Sequence, residues 1–385
     1  MMTVTREISI NFPGKINFGN GCLMEIASNI QSMGLKNLLI ISIVPLLPKL
    51  NNLIDSLEKE GVQIFVNTEI EQEPSFLDFD NLIQQYIDKD IDGVIGIGGG
   101  SVLDIAKLAA VQLKSDQKLE DIVGKNLIHN RRLKLICVPT TAGTGSEASP
   151  NAILIDPVDH QKKGIISPYL VPDLVCVDPL LTCSVPPSVT AATGLDALTH
   201  CLEAYTNKFA HPFIDIYALE GVKLIAANLV NAVDNGDNEH ARYQVAMGSL
   251  FGGICLGPVN TAAVHALAYP LGTRFHIAHG LSNALLLPHV MAYNIPSSPK
   301  RYADIAIAMG CEKGTNDTDT ALAGVEKVKQ IINDCKLPSK LRDLHIPEDS
   351  ISEMADDAMK ITRLLVNNPR EVAILDAVAI YQAAY

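Results

Sequence analysis

The 385-residue chain has no tryptophan, and only 5% of it is aromatic and 19% charged. Hydrophobic residues make up 48%, a composition that excludes a disordered or fibrous chain and describes a globular enzyme. Basic residues are in deficit, 30 Lys and Arg against 43 Asp and Glu, for a formal charge of -13. Nucleic acid and anionic membrane surfaces repel such a body unless a basic patch is concentrated somewhere. Lys134, Lys162 and Lys163 are too few to make one. No run of about 18 uncharged apolar residues occurs, and the opening MMTVTREISINFPG has no apolar leader core, so neither membrane insertion nor export is expected. The eight cysteines form no C-x-x-C pair and lie mostly in apolar runs, which reads as reduced thiols in a cytoplasmic protein.

At this length two domains are expected. Up to about residue 185, short β-rich runs alternate with helical stretches: LLIISIV (38–44), VQIFVN (62–67), DGVIGIGGG (92–100), LKLICVP (133–139) and LVCVD (174–178). That alternation predicts an α/β domain over 1–185 built on a mainly parallel sheet. Beyond Pro186 and Pro187 the pattern becomes long and helical, as in IYALEGVKLIAANLVNAV, so 186–385 is expected to be all-helical. No flexible linker separates the two, which predicts a tight junction with a cleft beside it.

Histidines and one aspartate carry the chemistry. In TGLDALTHCLEAY, Asp196 and His200 are four residues apart, one helical turn, and so share a face. VHALAYPLGTRFHIAHG places His265 on a second helix, which is expected to break near Pro270 and Gly272 and to return His279 beside His265. Any one of these histidines alone suits an apolar core. Together they offer one carboxylate and three imidazoles, an N3O set suited to iron(II) or zinc.

A nucleotide loop is also present. DGVIGIGGGSVLDIAK runs from a buried strand through Gly98, Gly99, Gly100 and Ser101 into a helix with apolar spacing at Val102, Ile105, Ala106 and Ala109. Glycines admit close approach of an anion, and the helix N-terminus favours a pyrophosphate. PTTAGTGSEAS follows the next strand and offers the hydroxyls of Thr140, Thr141, Thr144 and Ser146, which can bond phosphate, ribose or carboxamide without charge.

These motifs, with KKGIISPYLVPDLVCVDP and the tail NNPREVAILDAVAIYQAAY, appear in an order that resembles the iron-dependent (group III) alcohol dehydrogenases nearly end to end. The resemblance implies a dehydroquinate synthase-like architecture, a dinucleotide-binding α/β domain followed by an all-α metal-binding domain. It further implies a metal held by Asp196, His200, His265 and His279, a pyrophosphate at Gly98 to Ser101, and Asp104, Thr140, Thr141, Thr144 and Lys163 around the rest of NAD or NADP. The reaction implied is hydride transfer between the nicotinamide and a small primary alcohol or aldehyde, with the metal polarising the substrate oxygen. Dehydroquinate synthase, a lyase in the same superfamily, needs Lys and Arg for a sugar phosphate, and 191–290 holds only Lys208, Lys223, Arg242 and Arg274. The intact ligand quartet argues against the metal-free maleylacetate reductases.

Two positions depart from the family. Many members carry a histidine four residues after the third ligand as a proton relay; here Tyr269 stands there, with His276 able to share the role. Ile43 ends the second strand where NAD-preferring relatives often have an acidic residue, which leaves NADP open. Ala262, Ala263, Ala266, Leu267, Phe275 and Ile277 are expected to line the substrate site, and a β-prone segment, Ile8 to Phe12, suggests a homodimer.

Overall fold

The computed structural model describes residues 7–70, 74–158 and 161–385; residues 1–6, part of the opening segment read above for a leader, lie outside them. The chain divides into two compact units: Asn11–Thr141 with Ser146–Thr182, and Cys183–Tyr385 with Ala142–Gly145 and the N-terminal stretch up to Ile10.

The first unit runs β1 (Lys15–Phe18), α1 (Ile26–Met33), β2 (Asn37–Ile41), α2 (Leu47–Lys59), β3 (Gln63–Asn67), α3 (Phe76–Tyr86), β4 (Gly93–Gly98), α4 (Gly100–Gln112), β5 (Gly124–Lys125), β6 (Lys134–Pro139), β7 (Asn151–Ile155), β8 (Lys162–Ile166) and β9 (Leu174–Val177). Six strands form one sheet in the order β1-β9-β6-β4-β2-β3, with every pairing parallel. Its inner strands β9, β6, β4 and β2 are apolar on both faces because both are covered, whereas the edge strands β1 and β3 are partly exposed. Leu38 and Ile40 of β2 enter one buried cluster and Leu39 and Ile41 the other, the period of two expected of a strand between two helical layers. β4 sits centrally and is buried throughout. β7 and β8 pair antiparallel in a separate three-stranded sheet with β5. The lysines and glycine of Lys162–Ile166 hid that strand from the sequence pattern.

The second unit contains α5 (Pro187–Thr206), α6 (Pro212–Asp234), α7 (Glu239–Leu256), α8 (Ala263–Phe275), α9 (His279–Asn294), α10 (Pro299–Ala308), α11 (Asp317–Asp334), α12 (Ile351–Met359), α13 (Thr362–Leu365) and α14 (Ile374–Ala384). α5 is buried along almost its whole length, so it forms the unit's axis rather than a surface helix. Ala263 and Leu267 belong to the same core, and Ala262 and Ala266 are buried too. Those residues pack the helices.

Two local expectations are corrected. α8 does not break at Pro270 and Gly272; it runs through both to Phe275 and stops where His276 turns left-handed, at φ 55°. The Pro270 nitrogen costs one helical bond, which the buried packing of Val264, Leu267 and Leu271 outweighs. Ile8–Phe12 forms no strand within the chain, and the edge of the large sheet is β1 instead.

Candidate metal and nucleotide sites

Asp196 and His200 sit one turn apart on α5, His265 is the third residue of α8, and His279 is the first residue of α9. The structure brings all four side chains together. Asp196 Oδ1 lies 3.8 Å from His200 Nε2, 3.6 Å from His265 Nε2 and 3.7 Å from His279 Nε2. The donors of Asp196, His265 and His279 fall within 4.8 Å of one another, while His200 stacks on His265 with ring centroids 4.8 Å apart. Gly280 makes this approach possible, because a Cβ there would run into the Ala192 carbonyl of α5.

Burial would raise the Asp196 carboxyl, but His200, His279 and His265 outweigh it and hold it well below the usual carboxylate range. Burial likewise lowers the His200 imidazole. Its Nδ1 is buried without a well-formed hydrogen bond, with the Gly143 backbone alongside. At His265, burial is overcome by Glu203 and Asp196, which push the ring up to about 10. A buried carboxylate and three imidazoles thus converge on one point, close enough to shift one another's titration. The donor set suits iron(II) or zinc.

Two residues escaped the sequence reading. Glu203, seven residues after Asp196 on the same face of α5, is buried and accepts from His265 Nδ1 at 2.6 Å, the Val264 N–H at 2.6 Å and the Ala262 N–H at 3.0 Å. A carboxylate that takes three donors fixes Nδ1 of His265 as the protonated nitrogen and leaves Nε2 facing Asp196. Asn283, one turn after His279, directs its Nδ2 to Asp196 Oδ1 at 2.7 Å, with His265 Nε2 at 3.1 Å. Spacing marks both positions, yet an exposed helix carries Glu and Asn at the same intervals.

Tyr269 stands one turn after His265, its ring 6.1 Å from that of His279. Its Oη accepts a hydrogen bond from Arg363 Nη2 at 3.0 Å. His276 is not brought into this group; it is exposed at the C-terminus of α8.

In the first unit, β4 delivers Gly98 directly to α4, where a Cβ on Gly98 would clash with Val102. Gly99 is the N-cap and no side chain caps the helix, so the first N–H groups of α4, at Gly100, Ser101 and Val102, have no partner within the helix. Beside them stands Thr141, 3.5 Å from where a Gly99 Cβ would be, and the Thr140 N–H bonds to Gly98. This bare helix start, fed by glycines, fits a pyrophosphate.

Asp104 and Ser146 are engaged differently. Ser146 Oγ donates to Asp104 Oδ1 at 2.5 Å, and the Ile153 N–H donates to Oδ2 at 2.9 Å. The fully buried Lys107 donates to the Ser146 carbonyl at 2.7 Å and to Asn151 O at 2.5 Å. Together they clamp the 146–151 segment onto α4. Lys163 on β8 pairs with Asp156 at 3.7 Å, and Thr144 lies in the short segment that groups with the helical unit. Past the end of β2, Ile43 forms a bridge with Glu69, whose exposed carboxylate also accepts from Asn67 and Gln85.

The family model described as iron-containing alcohol dehydrogenase matches residues 13–179, and that for the C-terminal part of the Fe-containing alcohol dehydrogenase family matches 190–385. Long-chain-alcohol dehydrogenase 1 of Geobacillus thermodenitrificans is 39% identical, over 100% of this chain and 98% of that protein. A crystal structure of 1,3-propanediol oxidoreductase superposes with a TM-score of 0.94 at 31% identity, covering 99% of this chain and 100% of the other. Sulfoacetaldehyde reductase from Bifidobacterium kashiwanohense, solved with NAD+, gives 0.90 at 27% identity, over 98% and 99% of the two chains.

Proposed function

We propose, for a chain that belongs to the iron-containing alcohol dehydrogenase family and is a metal-dependent alcohol oxidoreductase, that Asp196, His200, His265 and His279 hold the iron and that NAD is the preferred nicotinamide cofactor. The observation that carries the metal assignment is the convergence of three imidazole nitrogens within 3.8 Å of one buried carboxylate oxygen. When bound, iron(II) supplies a Lewis acid that polarises the substrate oxygen, and the nicotinamide supplies the hydride acceptor or donor.

The protein's own residues do the remainder. Asp196 supplies the negative charge of the ligand set, and Glu203 keeps the His265 tautomer that presents Nε2. Arginine can only donate, so the bond from Arg363 leaves the Tyr269 proton directed away from the guanidinium. Tyr269 Oη, packed beside His279, is therefore the group that relays the proton, in preference to the exposed His276. Gly99, Gly100 and Ser101 at the α4 N-terminus take the pyrophosphate, with Thr140 and Thr141 beside them. Asp104 and Ser146 serve that site through the Lys107 clamp. Glu69 supports NAD because it places a carboxylate next to Ile43, where a 2'-phosphate would meet like charge.

The test is aldehyde-dependent oxidation of NADH and NADPH by anaerobically iron(II)-loaded protein. NADH is expected to be used more efficiently, and Glu69→Gln is expected to narrow the gap by about tenfold, the worth of one charge contact. Equal use of both cofactors by the unaltered protein would remove the Glu69 argument. No turnover with any aldehyde would sink the whole reading. In the same assay Tyr269→Phe is expected to lower kcat by roughly a hundredfold; an unchanged kcat assigns the relay elsewhere.

A further inference from the structure

We infer that Arg363 is a specificity residue that binds a carboxylate at the far end of the substrate, so that the preferred aldehyde is a semialdehyde of a dicarboxylic acid. The inference rests on the metal and alcohol oxidoreductase reading above. α13 brings Arg363 to the side of Tyr269, its Cζ 5.7 Å from the ring centroid, and Tyr269 in turn lies against His279. The guanidinium thus bonds the oxygen of a phenol whose ring lies beside one of the ligand candidates.

Arg363 is exposed and has no carboxylate partner among the described residues, in a chain with 43 acidic side chains. Two other arginines of the same unit have one, while Arg242 and Arg370 spend their donors on backbone carbonyls and, for Arg242, the Thr190 hydroxyl. Arg274 takes Glu353 and Asp357, and Arg301 takes Asp215. A guanidinium carries five donors in a planar fork, and only one of those on Arg363 is used, by the Tyr269 oxygen. The remaining donors match a carboxylate in bidentate fashion. Because the phenol hydroxyl that relays the proton stands between the guanidinium and the reacting oxygen, that carboxylate must be several bonds from the reacting carbon. Succinic semialdehyde meets this requirement; glyoxylate, with its acid on the aldehyde carbon, does not.

The experiment compares kcat/KM for succinic semialdehyde and for butyraldehyde, its uncharged counterpart, with the iron(II)-loaded enzyme and its Arg363→Met and Arg363→Lys forms. Calorimetric binding of succinic semialdehyde without nicotinamide gives a second readout. The unaltered enzyme is expected to favour the semialdehyde by roughly tenfold or more, and Arg363→Met to erase that preference through KM, with weaker binding and partial rescue by lysine. If butyraldehyde is turned over as well as the semialdehyde, or the ratio and the binding survive in Arg363→Met, the carboxylate site is overturned while the oxidoreductase reading stands. If neither aldehyde is turned over, both fall.

Discussion

Glu203 shows how much one residue outside the ligand set can decide. It holds His265 by the nitrogen that does not face Asp196 and at the same time secures the Ala262 and Val264 N–H groups at the start of α8. Removing such an orienting partner typically costs ten- to a hundredfold in metal affinity. Glu203→Ala should therefore weaken iron(II) binding by about that factor in an anaerobic competition with a chelating dye, while its circular dichroism stays that of the unaltered protein. Unchanged affinity would mean that α8 positions His265 without help. The four ligand candidates were legible in the sequence because the i, i+4 spacing of Asp196 and His200 is itself a geometric statement. Glu203 and Asn283 were not, because what makes them functional is burial. A glutamate on a helix is ordinarily solvated, and only the folded chain shows this one taking three donors.

Among the elements, periodicity marks the inner parallel strands well, because a strand covered on both faces is a continuous apolar run, as β2, β4, β6 and β9 are; the edge strand β3 is recognised by its β-prone residues although it is partly exposed. Periodicity missed β1, β5, β7 and β8, where polar and apolar residues mix or the strand is very short, and pairing rather than composition makes the strand. It also misplaced the end of α8. Proline and glycine were read as breakers at Pro270 and Gly272, but in a helix with one face packed into a core, tertiary burial exceeds the loss of one backbone bond. The real stop is His276 in the left-handed region, a position that few residues other than glycine and asparagine take readily. That shift of the turn matters for function, since it makes His279 the first residue of α9 instead of part of a loop. Asp104 and Ser146 teach a similar lesson in the first unit. The sequence offers Asp104 on a helix and Ser146 in a glycine-rich loop as cofactor residues, and the fold adds a buried lysine that braces the loop against that helix.

For the molecule as a whole, the acidic composition argues against nucleic acid and anionic surfaces as partners, and among the described residues no helix is long and apolar enough to cross a membrane. Each unit has its own buried clusters, an apolar sheet between two layers in one and a helical core in the other. The chain passes between them at Ala142–Gly145, where Gly145 at φ 61° packs against Gly253 of α7. That crossing lies in the middle of a motif which reads in sequence as one continuous loop. Turnover is expected to depend on a metal at the Asp196 quartet. The most direct test is the rate of aldehyde-dependent NADH oxidation before chelation, after chelation and after anaerobic addition of iron(II), run in parallel with Asp196→Ala. Activity is expected to be lost on chelation, to recover with iron(II) in the unaltered protein and not to recover in Asp196→Ala. A rate indifferent to chelation, or one that iron(II) restores fully in Asp196→Ala, would contradict that dependence.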